Sequence, residues 1–306
     1  MTGHPVQVWW ARLGDARPGL RALLDPVERG RYESTVDPAG RGRFLVGCAL
    51  GRLVLGDLLG LPPEDVPLRR VCPRCGGPHG KVHLALPPEH PPGTRPGTRP
   101  DTRQGPHPSP LPVYDFSVTH SGALVGVAVC RDGEVGLDVE ECLDDGDGQV
   151  DDDGGFDVDS AARVALSDAE LAALYARPAT ERRRAFLRTW TRKEAVLKAL
   201  GVGLGAPLRE LEVSEPERPP AVLAWPDRLA GRSHMSMADL LVDGVHPAAV
   251  AVAVPVAGAT AGERRAAGRG EVRGEARGEV RGEVRGDGAL RVAVHDGSEM
   301  LTAYDP

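Results

Sequence analysis

Two acidic clusters, Gly136-Leu-Asp-Val-Glu140 and Trp190-Thr-Arg-Lys-Glu-Ala-Val-Leu-Lys198, have the spacing in this chain that best suits chemistry. Asp138 and Glu140 stand at i and i+2 behind an apolar run, so on a β-strand both carboxylates leave the same face. Glu194 and Lys198 stand at i and i+4 in a strongly helical segment and share a helix face. Three carboxylates converging from a strand and a helix make a hard oxygen site suited to Mg²⁺ holding a phosphate-bearing substrate. A lysine one turn beyond the third carboxylate suits phosphate charge or proton handling. Taken singly, each pair reads more readily as a solvated strand edge or a surface salt bridge.

Such clusters need rigid elements behind them. Residues 6–10 and 123–130 are apolar and β-branched and predict strands, as do 134–140, 222–225 and 249–256. Residues 43–59 place Phe44, Leu45, Cys48, Leu55 and Leu59 at helical spacing and stop at Gly60-Leu-Pro-Pro. Ser167-Asp-Ala-Glu170 is a capping box opening a helix through Leu174. Residues 183–200 predict the strongest helix: Phe186, Leu187, Trp190, Leu197 and Leu200 form one apolar stripe, and Gly201 ends it. Strands grouped apart from helices, without regular βαβ alternation, predict an α+β fold.

Composition narrows the partners. The 306 residues carry a net charge of −7, and the imbalance is concentrated among the aspartates of 144–159, which predicts a solvated loop there. The chain is not basic overall, which argues against nucleic acid as a partner. No apolar run is long enough to span a bilayer, and the N-terminus shows no secretory signal. Five cysteines, an odd number in a long chain, do not suggest a disulfide framework, so the expected location is cytoplasmic. Residues 87–112 hold a tandem Pro-Gly-Thr-Arg repeat and predict an extended insertion. Residues 268–287 repeat Arg-Gly-Glu-Val with a glycine in every turn, and predict disorder rather than a solenoid.

Three blocks in order, Phe116-Ser-Val-Thr-His-Ser-Gly122, Gly136-Leu-Asp-Val-Glu140 and Trp190 to Lys198 followed by Gly201-Val-Gly-Leu204, resemble the 4′-phosphopantetheinyl transferases of the larger, surfactin-synthetase-activating type. The resemblance runs over residues 25–256. It implies a monomer of two similar α+β halves, 1–133 and 134–306, related by pseudo-twofold symmetry with the active site in the cleft between them. It also implies Mg²⁺-dependent transfer of the phosphopantetheine arm from coenzyme A to a serine of an apo acyl, polyketide or peptidyl carrier protein, releasing 3′,5′-ADP.

Residue by residue, the resemblance makes Asp138, Glu140 and Glu194 the metal ligands. Glu194 is the candidate base, acting directly or through water, and Lys198 the group that steadies phosphate or protonates the leaving ADP. Thr119 and His120 fall where the family holds the nucleotide and a coenzyme A phosphate. His120 occupies a turn before an apolar strand and should stay protonated readily beside phosphate. Arg43, at the start of its helix, falls on the 3′-phosphate position, with Arg29 and Arg31 at looser basic positions for the same group. Gly80-Lys81 resembles the block whose lysine approaches coenzyme A, with Val82 where the family has proline. Val139 leaves the position between the two strand acids apolar, so water would take that place on the ion. Glu141 points to the opposite face.

Two other functional classes compete. Cys72-Pro-Arg-Cys75 with His79 and His83 has zinc-knuckle spacing, which would make the chain a zinc-centred interaction module. A non-catalytic coenzyme A-binding scaffold would keep Arg43 and His120 but not the acids, all of which are present here.

Overall fold

The computed structural model describes residues 4–70, 76–77, 80–85, 114–142, 157–231, 233–255, 280–285 (backbone only) and 290–305. The insertion at 87–112, Cys72, Cys75, His79 and most of the aspartate-rich stretch lie outside the described residues. The strands are β1 (His4–Arg12), β2 (Leu68–Arg70), β3 (Val82–Leu84), β4 (Tyr114–Ser121), β5 (Leu124–Arg131), β6 (Glu134–Val139), β7 (Glu212–Val213), β8 (Val222–Ala224), β9 (Ser233–Val242), β10 (His246–Pro255), β11 (Val280–Arg285) and β12 (Leu290–Asp296). The α-helices are α1 (Pro26–Ser34), α2 (Pro38–Leu59), α3 (Val158–Ala165), α4 (Asp168–Tyr175), α5 (Ala179–Ala199) and α6 (Gly297–Ala303). The fold is α+β, as the grouping of periodicities predicts. Among the described residues no helix is long and apolar enough to cross a membrane.

Two sheets carry the architecture. One runs β11-β12-β1-β5-β4 and the other β6-β10-β9. In each, a first strand (β1 or β6) lies beside the last of a later antiparallel hairpin (β4–β5 or β9–β10), and a long helix intervenes in sequence. Helix α2 covers the first sheet, burying Val46, Ala49, Leu50, Val54 and Leu55 against Trp9, Val125 and Phe116. Helix α5 covers the second, with Ala195, Val196, Leu197 and Ala199 packed on Met237, Ala249 and Ala251. The approach of α5 to β6 is close enough that a Cβ on Gly136 would overlap the Ala195 carbonyl oxygen and the Ala199 amide nitrogen. Glycine there is what lets the strand bearing Asp138 and the helix bearing Glu194 lie together.

The two sheets meet along β4 and β6, and side chains do the joining. Asp115 accepts from the Val135 amide (2.7 Å), Ser117 from Leu137 (3.1 Å) and Ser121 from Glu141 (3.0 Å). These residues, with Thr119, occupy alternate positions of β4, so all of them leave the same face of the strand. Lys81 adds a clamp across the same joint, its ammonium paired with Asp115 and donating to the carbonyls of Val135 (3.0 Å) and Ala199 (3.2 Å).

Buried arginines hold the covering helices. Arg52 of α2 binds Glu28 (2.8 Å) and Asp25 (2.9 Å), docking the N-terminus of α1. Arg192 of α5 binds Asp239 and the carbonyls of Ser214, Glu215, Pro216 and Arg218. Buried charges hydrogen-bonded this fully are tolerated inside a protein.

Several elements depart from the sequence reading. Helix α2 begins at Pro38 behind the Asp37 cap, so Arg43 sits in its second turn rather than at its start. Residues 157–159 cap and open α3 instead of belonging to a solvated loop. The end of the Arg-Gly-Glu tract is strand β11, because β12 offers it an edge with which backbone amides pair whatever the side chains. Strand β12 runs parallel to β1, so the C-terminal residues complete the sheet of β1, β5 and β4, not that of β6, β10 and β9.

Candidate active site

Site residues gather where α5 packs on β6 and β6 meets β4. Asp138, on β6, is 5% exposed and Glu194, on α5, 8%. Glu140 follows directly after β6. The Thr119 hydroxyl donates to Asp138 Oδ1 (3.2 Å), and Lys198 Nζ donates to the same oxygen (2.6 Å), to Thr119 Oγ1 (3.2 Å) and to the Leu137 carbonyl (3.1 Å). Glu140 is held on both oxygens, by Ser121 Oγ at Oε2 (2.8 Å) and by the Trp190 indole at Oε1 (3.0 Å). Trp190 itself stacks on Phe186.

Burial raises the pKa of all three carboxyls. Glu194 is pushed up to about 7, by burial first and then by the negative charge of Asp138, with Lys198 opposing. Burial also raises Glu140, helped by Asp138, and raises Asp138 against the pull of Lys198. These shifts express one fact: the acids share a poorly solvated place with less positive charge than they need.

The donor chemistry suits a hard divalent cation. Asp138 Oδ2 and Glu194 Oε1 are buried with no hydrogen-bond donor, which is costly for a carboxylate unless a cation approaches. The expected convergence is nevertheless not preassembled: among the described residues no group of three or more acidic, histidine or cysteine side chains stands ready to hold a metal ion. Lys198 draws Asp138 one way, while Ser121 and Trp190 draw Glu140 another. Val139, between the strand acids, is buried in the apolar core behind the sheet.

A cavity of about 770 Å³ has Lys198 in its wall and is lined by α1, α2, β2, β3 and β4, by the end of α5, and by Gly201, Val202, Gly203, Gly205 and Ala206. Its cationic groups are Arg31, Arg43, Arg70, Lys81, Lys198 and Arg228, with His120 beside them. Phe44, Gly47, Cys48 and Phe116 make an apolar wall. The volume is that of a small-molecule site, and the charge suits a polyanion.

The sequence-predicted residues divide between cavity and seam. Arg31, Arg43, His120 and Lys198 line the cavity. Arg29 does not; its guanidinium bonds the Leu24 carbonyl (3.2 Å). Thr119 faces Asp138 and Lys198 rather than the cavity, because β4 alternates and it shares the seam face with Ser117 and Ser121. Lys81 reaches the cavity wall, but its ammonium is committed to the seam clamp. His120 lies within β4, not in a turn, and its pKa is lowered by burial first and then by Arg43 and Lys198. The ligand-free site therefore favours neutral imidazole, where a bound phosphate would reverse the sign. Glu141, set aside as facing away, accepts from the Ala123 amide (3.0 Å) and packs where a Cβ on Gly122 (φ 52°) would sit. Arg43 donates to the Gly122 carbonyl (3.1 Å), so the turn after His120 is held from both sides.

Sequence reasoning missed the roles of Asp115, Ser117, Ser121, Arg70 and Arg228. The signal for the first three was present as polar residues alternating with Phe116, Val118 and His120.

The model of the 4′-phosphopantetheinyl transferase superfamily matches residues 134–253, the stretch that holds β6, α5 and all three acids. The chain is also 27% identical over 241 residues to the 4′-phosphopantetheinyl transferase HetI of Nostoc sp., covering 76% of this chain and 80% of the relative.

Proposed function

We infer that this chain, a member of the 4′-phosphopantetheinyl transferase superfamily, transfers the phosphopantetheine arm of coenzyme A to a serine of an apo carrier protein and releases 3′,5′-ADP. One observation supports the site assignment: Lys198 lines the cavity and also donates to Asp138, one of the three acids. The strand order shared by the two sheets supports the pseudo-twofold arrangement, with the cavity as the cleft between halves.

The transfer is a substitution at the β-phosphorus of coenzyme A. The serine oxygen forms a new P–O bond while the bridging P–O bond to the 3′-phosphoadenosine 5′-phosphate breaks. Asp138, Glu140 and Glu194 are the residues that would hold a divalent ion, which when bound supplies Lewis-acid stabilisation of the diphosphate oxygens. Glu194 is the base that takes the serine proton, directly or through water. Lys198 and His120 face the cavity with donors for phosphate oxygens, and Lys198 has the proton that the departing phosphate can accept. The turn after His120, gripped by Arg43 and Glu141, keeps that donor in place.

Mass spectrometry of an apo carrier protein tests this. With enzyme, coenzyme A and Mg²⁺, a gain of about 340 Da on one serine is expected, the mass of the covalently added arm. Asp138→Ala enzyme should give none. Absence of the gain with well-folded enzyme across acyl, polyketide and peptidyl carriers refutes the assignment.

A further inference from the structure

Strand β6 leads directly to Glu140, and what fixes its far end lies on β10. The two strands pair antiparallel as far as Val139 opposite Ala248. One more backbone bond follows, from the Glu140 amide to the Pro247 carbonyl (3.0 Å). Proline has no N–H to return, so the reciprocal bond of an antiparallel pair cannot form there. A side chain then takes over the pairing: the Cys142 amide donates to His246 Nδ1 (3.0 Å). Nδ1 is thus the accepting nitrogen, and the ring carries its proton on Nε2. Cys142 is buried and His246 half-buried. His246 is anchored in turn, opposite Val242 in the β9–β10 hairpin, where the Val245 amide bonds the Val242 carbonyl (3.1 Å).

Residues 140–142 are therefore gripped from two sides. From β4, Ser121 binds the Glu140 carboxylate and the Glu141 amide, while Glu141 accepts from Ala123. From β10, Pro247 and His246 hold the backbone itself. A carboxylate is only as well aimed as the backbone it leaves, and the partners that set a ligand's direction govern metal affinity nearly as much as the ligand. We infer that His246 is a positioning residue for the divalent-ion site: by accepting from Cys142 it fixes the backbone from which Glu140 reaches. This rests on the transferase reading of the three acids. His246 does not line the cavity, so its loss should leave coenzyme A binding alone.

Mg²⁺ titrated calorimetrically into the full chain holding coenzyme A tests this apart from turnover, and amide hydrogen exchange at Cys142 reads the bond itself. His246→Ala should weaken Mg²⁺ binding about ten-fold and speed exchange at Cys142. In transfer assays kcat at limiting Mg²⁺ should fall in step, while KM for coenzyme A stays unchanged. His246→Asn, whose amide oxygen stands where Nδ1 stood, should return Mg²⁺ binding to within about two-fold of wild type and restore the protection of Cys142. His246→Gln, whose oxygen falls nearer the Nε2 position, should not. The inference is overturned if His246→Ala binds Mg²⁺ as wild type does, or if the asparagine and glutamine variants behave alike. Should His246→Ala fail to fold, that last comparison decides alone. Weakened Mg²⁺ binding in the variant, with no mass gain on any carrier even by wild type, would sink the transferase reading and leave His246 in its positioning role.

Discussion

Replacing Glu194 by glutamine should stabilise the metal-free protein, and only above mildly acidic pH. The carboxyl titrates near 7 in the folded chain against an ordinary value of 4.5. The folded state therefore binds more protons, so stability is intact below about pH 4.5 and is lost as pH rises towards 7. A shift of this size is worth roughly 3 kcal/mol at completion, of which about 2–3 kcal/mol falls between pH 5 and pH 8. Glutamine keeps the shape and has no charge to desolvate, so its advantage over wild type should grow across that window. Thermal melts in chelator at pH 5, 6, 7 and 8 should show the two proteins diverging by roughly 5–10 °C at the alkaline end. Mg²⁺ at pH 8 should raise the wild-type midpoint more than that of the variant, since it supplies the missing positive charge. Parallel pH profiles for the two proteins would refute the argument that Glu194 is confined among uncompensated acids.

Two further substitutions probe the frame of the site. Gly136→Ala places a methyl group against the α5 backbone at Ala195 and Ala199, and should cost about 3 kcal/mol or more, read as a fall in the denaturant midpoint. Trp190→Phe keeps the stacking on Phe186 but removes the donor to Glu140. It should cost about 1 kcal/mol of stability and slow transfer ten- to a hundred-fold, with KM for coenzyme A little changed, as steady-state kinetics would show.

The long elements were legible because their periodicity is strong. Helix α5 and its apolar stripe, the α4 capping box with Ser167 and Glu170, and the β-branched run of β5 each reflect a single local rule. Asp138, Glu140 and Glu194 stood out as residue types at spacing, since i and i+2 at the end of β6 and i and i+4 on α5 suggest directions without a tertiary structure. What stayed hidden depends on partners distant in sequence. Nothing local tells that Thr119 serves an acid nineteen residues on, or that Lys81 spends its charge across three elements. Strand β11 has no side-chain pattern of its own and exists because β12 is there to pair with it. Arg70 was one arginine among many until the cavity set it beside Arg31.

The seam between β4 and β6 has a consequence for how the molecule can change. A backbone ladder survives most substitutions, whereas this joint is written in the side chains of Asp115, Ser117, Thr119 and Ser121, two of which also grip Asp138 and Glu140. Cohesion of the two sheets and the hold on Asp138 and Glu140 thus rest on one strand, so a substitution that loosens this joint reaches both carboxylates as well.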